Sequence, residues 1–293
     1  MPDAVGRPSV ARTLEAAVER LRRAGLERAR AEATALWAAV EGVPPGAVWL
    51  HRDVEPPDAV AARFWEAVER RASGVPFAYA VGRVSFRHLD LKLDPRALIP
   101  RPETEGLVDL VLSCCRKQGL GAGAWGLGAD VGTGCGCIAL ALATEGCFER
   151  VVGVEQSAAA AALARENAAL VAPRVPVEVR EGDLLAPLAG EQCRVIVANP
   201  PYLTEDEYAR LDPAVREFEP REALVSGVDG LDATRRLLAG AQTVLVPGGL
   251  LALEVDERRA AAVSTLAREH GWSATIHQDL FGRDRYLLAA EAS

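Results

Sequence analysis

From about residue 105 to the C-terminus, strand-like and helix-like segments alternate, and this rhythm restricts the fold more than any other feature of the chain. Short apolar runs lie at 129–131, 151–155, 177–180, 195–198, 250–255, 274–277 and 286–289. Helical periodicity fits the intervals at about 105–117, 137–145, 157–170, 230–245 and 257–270. The alternation predicts an α/β fold with a mainly parallel, doubly wound sheet, because parallel neighbours need a crossover and a helix supplies it. A ligand then belongs beyond the carboxyl ends of the strands.

The preceding portion has a different period. "TLEAAVERLRRAGL" places Leu14, Val18 and Leu21 on one helical face, with Thr13 as the expected N-cap and Gly25 as the stop. Two more amphipathic stretches, each ending in glycine, complete a small helical bundle. After Gly74 the period falls to two: Leu89, Leu91 and Leu93 alternate with His88, Asp90 and Lys92, which predicts a β-hairpin. The expected organisation is a helical domain over 1–75, a hairpin linker over 76–100 and the α/β domain over 101–293.

The length of 293 residues leaves room for two cores. Net charge is −8, and residues 1–75 hold eleven arginines against eleven acids, so the acidic excess of 30 over 22 belongs to the rest. An acidic α/β portion argues against a broad phosphate-binding face, and direct nucleic-acid binding is not expected. No apolar run reaches membrane-spanning length, and the N-terminus has no apolar leader segment, so a soluble, cytoplasmic chain is expected. The six cysteines lack paired CxxC spacing and the four histidines are scattered, so no metal site is expected and the thiols read as reduced. Trp37, Trp49 and Trp65 read as bundle core, and "ERLRRAGLERARAE" as a solvated helix face.

Four strand ends carry the chemistry. In "ADVGTGCGCIALALA", Asp130 and Val131 close a strand, Gly132, Thr133, Gly134, Cys135 and Gly136 form a loop, and a helix follows. Glycines there permit positive φ and close approach of a ligand to the main chain, and helix amides favour an anionic group. The spacing fits DxGxGxG and misses the dinucleotide pattern GxGxxG, since Cys137 stands where the third glycine belongs. Glu155 ends the next strand, where a carboxylate accepts from ribose hydroxyls or supports the helix start at Ser157. Asp183 ends the third, with two readings: acceptor for an adenine amine, Leu184 packing on the ring, or an exposed turn acid.

The fourth strand ends in Asn199, Pro200, Pro201 and Tyr202. The Asn199 side-chain oxygen accepts an N–H, the prolines stiffen the turn and free its carbonyls, and Tyr202 supplies a flat face. The group this turn suits is a planar NH2, either an exocyclic base amine or a carboxamide. The Asn199 oxygen and the Pro200 carbonyl would take its two hydrogens.

"NPPY" beside "DVGTGCG" resembles the amino-methylating S-adenosylmethionine enzymes. "LIPRPETEGLVD", "GVPFAYAVGRVSF", "EFEPREALVSGVDGLDATRRLL" and "DLFGRDRYLL" narrow the resemblance to the peptide chain release factor glutamine methyltransferases, PrmC/HemK, from about residue 30 onward. The resemblance implies a helical N-terminal substrate-docking domain, a linking hairpin and a seven-stranded, Rossmann-like methyltransferase domain. It implies S-adenosylmethionine contacts at Asp130, Gly132 to Gly136, Glu155, Asp183, Leu184 and Asn199, with S-adenosylhomocysteine as product. It implies substrate glutamine contacts at Asn199 to Tyr202, with Asn199, Pro200 and Tyr202 catalytic, and Arg101 and Glu103 lining the cleft. The implied substrate is a class-I release factor and the expected state a monomer. Rival readings are an amino-methyltransferase of a ribosomal-protein glutamine or of a nucleic-acid base. Cys135 stands where serine or threonine is commoner, and Glu155 where aspartate is usual, which bears on cofactor fit.

Overall fold

The computed structural model describes residues 7–117 and 125–291, which divide into two compact units at Gly82. The first contains α1 (Val10–Arg23), α2 (Ala29–Glu41), a 3-10 turn (Pro45–His51), α3 (Asp58–Ala72) and α4 (Phe77–Val81). Ser9, rather than Thr13, caps α1: its hydroxyl accepts the Arg12 amide, and Thr13 sits buried a turn inside. The physical reason is Val10, buried at 1% exposure, which extends the apolar stripe of Leu14, Val18 and Leu21 one turn further back. Gly25 ends the turn at φ +87°, as expected. Trp37 and Phe64 meet edge to face with centroids 4.8 Å apart at the centre of this core. Trp65 packs at its margin, but Trp49 is 48% exposed and is not core, because the 3-10 turn buries Val48 instead. The unit runs past residue 75 because Phe77 and Val81 pack on the same core.

The second unit opens with a hairpin, β1 (Arg83–Phe86) and β2 (Leu89–Lys92), paired Arg83 to Lys92 and Phe86 to Leu89. Arg87 in its turn adopts φ +55°, and its guanidinium reaches Glu145 at 2.7 Å, Asp109 at 2.7 Å and the Glu105 carbonyl at 2.9 Å. The hairpin is therefore fastened to the α/β core.

There follow α5 (Pro102–Lys117), β3 (Leu127–Val131), α6 (Cys137–Glu145), β4 (Arg150–Glu155), α7 (Ala158–Val171), β5 (Val177–Glu181) and β6 (Cys193–Ala198). The chain continues through α8 (Glu205–Ala209), α9 (Pro213–Phe218), α10 (Asp232–Gly240), β7 (Leu245–Glu254), α11 (Ala260–Glu269), β8 (Trp272–Gln278) and β9 (Asp284–Glu291). The helix expected over 230–245 stops at Gly240 and gives way to a 3-10 turn, Ala241–Thr243, before β7.

The seven strands lie in the order β5-β4-β3-β6-β7-β9-β8. Pairing is parallel from β5 to β7, and β9 runs antiparallel to both β7 and β8. Every residue of β3 is buried and β6 is nearly so, as a strand covered on both faces requires. Strand order reverses between β3 and β6, which opens a crevice at their carboxyl ends. Among the described residues, no helix is long and apolar enough to cross a membrane.

Candidate active site

A cavity of about 670 Å³ opens at that switch point, within the size range of small-molecule sites. Its wall takes residues from the ends of four of the five parallel strands, β3 to β6, from the segment leading into α5, and from the stretch between α9 and α10.

The loop after β3 lines one side through Gly132, Thr133, Gly134 and Cys135. Gly132, Gly134 and Gly136 have φ of +77°, +56° and +88°, a region that side chains avoid. A Cβ at Gly132 would meet nothing, so the backbone itself is the reason for glycine there. Asp130 lies beneath the loop, fully buried and outside the cavity lining. Its Oδ2 accepts the Thr133 hydroxyl at 2.5 Å and the Ala139 amide at 3.0 Å, tying the loop to the start of α6. Its Oδ1 is buried with no partner among the described residues, and burial pushes the carboxyl up to about 7. Buried Asn167 on α7 clamps the loop from behind, donating to the carbonyls of Cys135 at 2.9 Å and Lys92 at 3.0 Å.

Glu155 lines the cavity at the end of β4. Its two oxygens accept the Gly134 amide at 2.8 Å and the Ser157 amide at 2.9 Å, so it braces both the glycine loop and the start of α7. A carboxylate has about four acceptor positions, which leaves capacity for hydroxyls from a ligand. Asp183 and Leu184 also line the cavity, Leu184 at φ +47°, and Asp183 pairs with Arg236 of α10. Arg236, which sequence reasoning missed, shares this part of the wall.

The turn after β6 brings Asn199 and Pro201 to the cavity; buried Pro200 and half-buried Tyr202 are outside its lining. The amides of Tyr202 and Leu203 donate to the Leu224 carbonyl at 3.1 and 2.8 Å, and the Ser226 amide returns to the Leu203 carbonyl at 2.9 Å. A rigid turn is thus pinned by the following loop. Burial raises the Tyr202 phenol to about 12, so it stays protonated. Among the described residues nothing donates to the Asn199 side-chain oxygen or the Pro200 carbonyl.

Arg101 lines the cavity and donates to Glu219 at 2.7 Å. Glu219 is itself 5% exposed and also accepts the Ile99 amide at 3.1 Å, which joins the "IPRPE" and "EFEPRE" stretches. Glu103 does not line the cavity: its carbonyl accepts the Tyr286 hydroxyl at 2.7 Å, and Thr104, which sequence reasoning passed over, faces the cavity instead. Positions 101 and 104 share a helical face and 103 lies off it. Thr104 donates to Glu254 at 2.7 Å and receives the Asn199 amide at 3.2 Å. Glu254, 1% exposed, is raised to about 7 by burial. An acid closing a strand at the ligand edge was its sequence signal, the same signal that singled out Glu155.

Comparison with known proteins follows the same division. Residues 12–82 match the PrmC N-terminal domain family, and residues 109–216 match the methyltransferase small domain family. The chain is 41% identical to the release factor glutamine methyltransferase of Deinococcus radiodurans over 279 residues, 95% of this chain and 97% of that one. It is 42% identical to the enzyme of the same name from Moorella thermoacetica over 277 residues, 93% and 95% of the two chains. In fold it is similar to the N-terminal domain of human METTL16 in complex with SAH, with TM-score 0.55, 17% identity and coverage of 88% and 94%. A methyltransferase from Pyrococcus furiosus aligns with TM-score 0.52, 19% identity and coverage of 79% and 98%.

Proposed function

Since the chain belongs to the release factor glutamine methyltransferase family, we propose that it methylates the side-chain nitrogen of the glutamine in the Gly-Gly-Gln loop of class-I release factors, using S-adenosylmethionine. The observation that carries this reading is Asn199, held at the cavity wall with its side-chain oxygen unpaired among the described residues.

The residues present suit the cofactor. The glycine loop leaves its main chain open to a ligand, and carboxylates stand at the ends of β4 and β5 within the same cavity. Gly132 to Cys135 would hold its amino-acid portion, Glu155 its ribose, and Asp183 with Leu184 its base. Bound there, S-adenosylmethionine supplies an electrophilic methyl group. Among the described residues no cluster of metal-ligating side chains is present.

An amide nitrogen is a poor nucleophile, because its lone pair is delocalised into the carbonyl, so the task of the protein is alignment. The Asn199 oxygen accepts one amide hydrogen, and the Pro200 carbonyl, without a donor among the described residues although Pro200 lies outside the cavity lining, accepts the other as the amide enters the turn; such orientation can supply several kcal/mol of a barrier. The same two acceptors stabilise the positive charge that develops on the nitrogen. The surplus proton leaves to water once the new N–C bond has formed. The first unit, residues 1–82, serves as the dock for the protein substrate, because a loop of three residues offers little surface for recognition.

Incubation with a purified class-I release factor and methyl-labelled S-adenosylmethionine tests the proposal. The expected result is label in the factor that disappears when the Gly-Gly-Gln glutamine is replaced by asparagine. Label confined to a ribosomal protein or to nucleic acid overturns it.

A further inference from the structure

An asparagine serves a carboxamide substrate in only one of its two orientations. With Oδ1 toward the ligand it accepts an N–H; with Nδ2 there, two donors face each other. The stiff turn at Pro200 and Pro201 fixes the backbone of Asn199 but leaves this choice open.

The neighbours make it. Glu254 ends β7 beside β6, and its Oε2 receives the Thr104 hydroxyl at 2.7 Å. A threonine hydroxyl has one proton, so once it is given to Glu254 as the carboxylate the oxygen can only accept, whereas a protonated Glu254 would donate and free that proton. The group opposite, 3.2 Å away, is the Asn199 amide, which must present its NH2 to Thr104. Its oxygen is then turned away from Thr104. Both Thr104 and Glu254 are buried, at 2% and 1% exposure, so water does not compete for these bonds.

We propose that Glu254, as the carboxylate, and Thr104 form a positioning relay that holds the Asn199 side chain with its oxygen toward the substrate amide. Neither residue touches the reacting atoms; both act through Asn199. The inference rests on the function proposed above, in which Asn199 accepts the substrate N–H. It also accounts for the threonine within "PRPETE": this position faces Asn199 across the cavity wall, and a hydroxyl there is the smallest group able to pass the preference of Glu254 on.

Two measurements decide it. Neutron diffraction from deuterium-exchanged crystals of the full chain, held at alkaline pH where Glu254 is a carboxylate, reads the orientation: deuterons on the Asn199 nitrogen facing Thr104, and the Thr104 deuteron facing Glu254, are expected. The Asn199 oxygen facing Thr104 overturns the relay. In kinetics with release factor and S-adenosylmethionine, Thr104→Val lowers kcat by about tenfold to a hundredfold. Its affinity for the cofactor by calorimetry stays within about threefold of native, and Thr104→Ser, which restores the hydroxyl, recovers most of the loss. Native kcat in Thr104→Val, or an equal loss of cofactor affinity and rate, overturns the relay while the function stands. A native enzyme inactive on release factors overturns the function, and the deuteron positions still decide the relay.

Discussion

A carboxyl group buried beside the substrate turn leaves a mark on stability that needs no substrate to read. Glu254 faces Thr104, Glu103 and Arg101 at the start of α5, Arg285 and Tyr286 on β9, and Tyr202 of the turn. Burial dominates among these influences and raises its pKa from 4.5 to about 7. The folded state therefore binds this proton more tightly than the unfolded chain. The resulting stability is fully present below the unfolded pKa and is lost as pH rises through about 7. Glu254→Gln, neutral at every pH, removes this loss, on the order of 3 kcal/mol. Urea unfolding at about pH 4.5 and about pH 8 is the measurement, with native losing more stability between them than the variant. Equal losses would remove Glu254 as a buried acid. Single residues were legible in the sequence where they ended a strand: Glu155, Asp183 and Asn199 all reach the cavity. Glu103 and Thr104 were not separable, because a helix start has to be placed before its faces can be told apart.

At the scale of elements, α5 meets β9 where the Tyr286 hydroxyl donates to the Glu103 carbonyl, one residue before cavity-lining Thr104. Gly106 is the contact point: a Cβ there would come within 2.3 Å of the Tyr286 hydroxyl, the group that holds the Glu103 carbonyl. Gly106→Ala must push the first turn of α5 off β9 or displace Tyr286, at a cost of about 1–3 kcal/mol. A lower Tm with a parallel fall in kcat is the expected outcome; an unchanged Tm shows that the contact yields freely. Hydrophobic period revealed the seven strands and the long helices, since each must bury one face. It did not reveal α8 and α9, five and six residues long, which bury no side chain. Their signals were polar and local: Thr204 with Glu207 makes a capping box, and Asp212 caps a helix that begins at Pro213. The start of α1 is ambiguous in the sequence for a related reason, because Ser9 and Thr13 are both competent caps and only the burial of Val10 decides between them.

In the whole molecule, each unit has its own apolar core, one around Trp37 and Phe64, the other around the central strands of the sheet. Removal of residues 1–82 is therefore expected to leave S-adenosylmethionine binding within about threefold of native while methylation of the intact release factor falls by about a hundredfold. Equal activity of the shortened chain on the intact factor would show that the first unit is not the dock. The α/β rhythm made the seven-stranded sheet with its helices visible in the sequence, whereas the partner of each polar side chain was not, since Arg101 and Glu219, or Asn199 and Thr104, are far apart in the chain and meet only through the fold. In the proposed function, the turn after β6 holds the substrate amide at the cofactor cavity through Asn199. Single-turnover methyl transfer to a class-I release factor, with native and Asn199→Ala enzyme both saturated with S-adenosylmethionine, tests it most directly. A rate lower by at least about a hundredfold in the variant, with cofactor affinity little changed, is expected; a near-native rate would show that Asn199 does not hold the substrate amide.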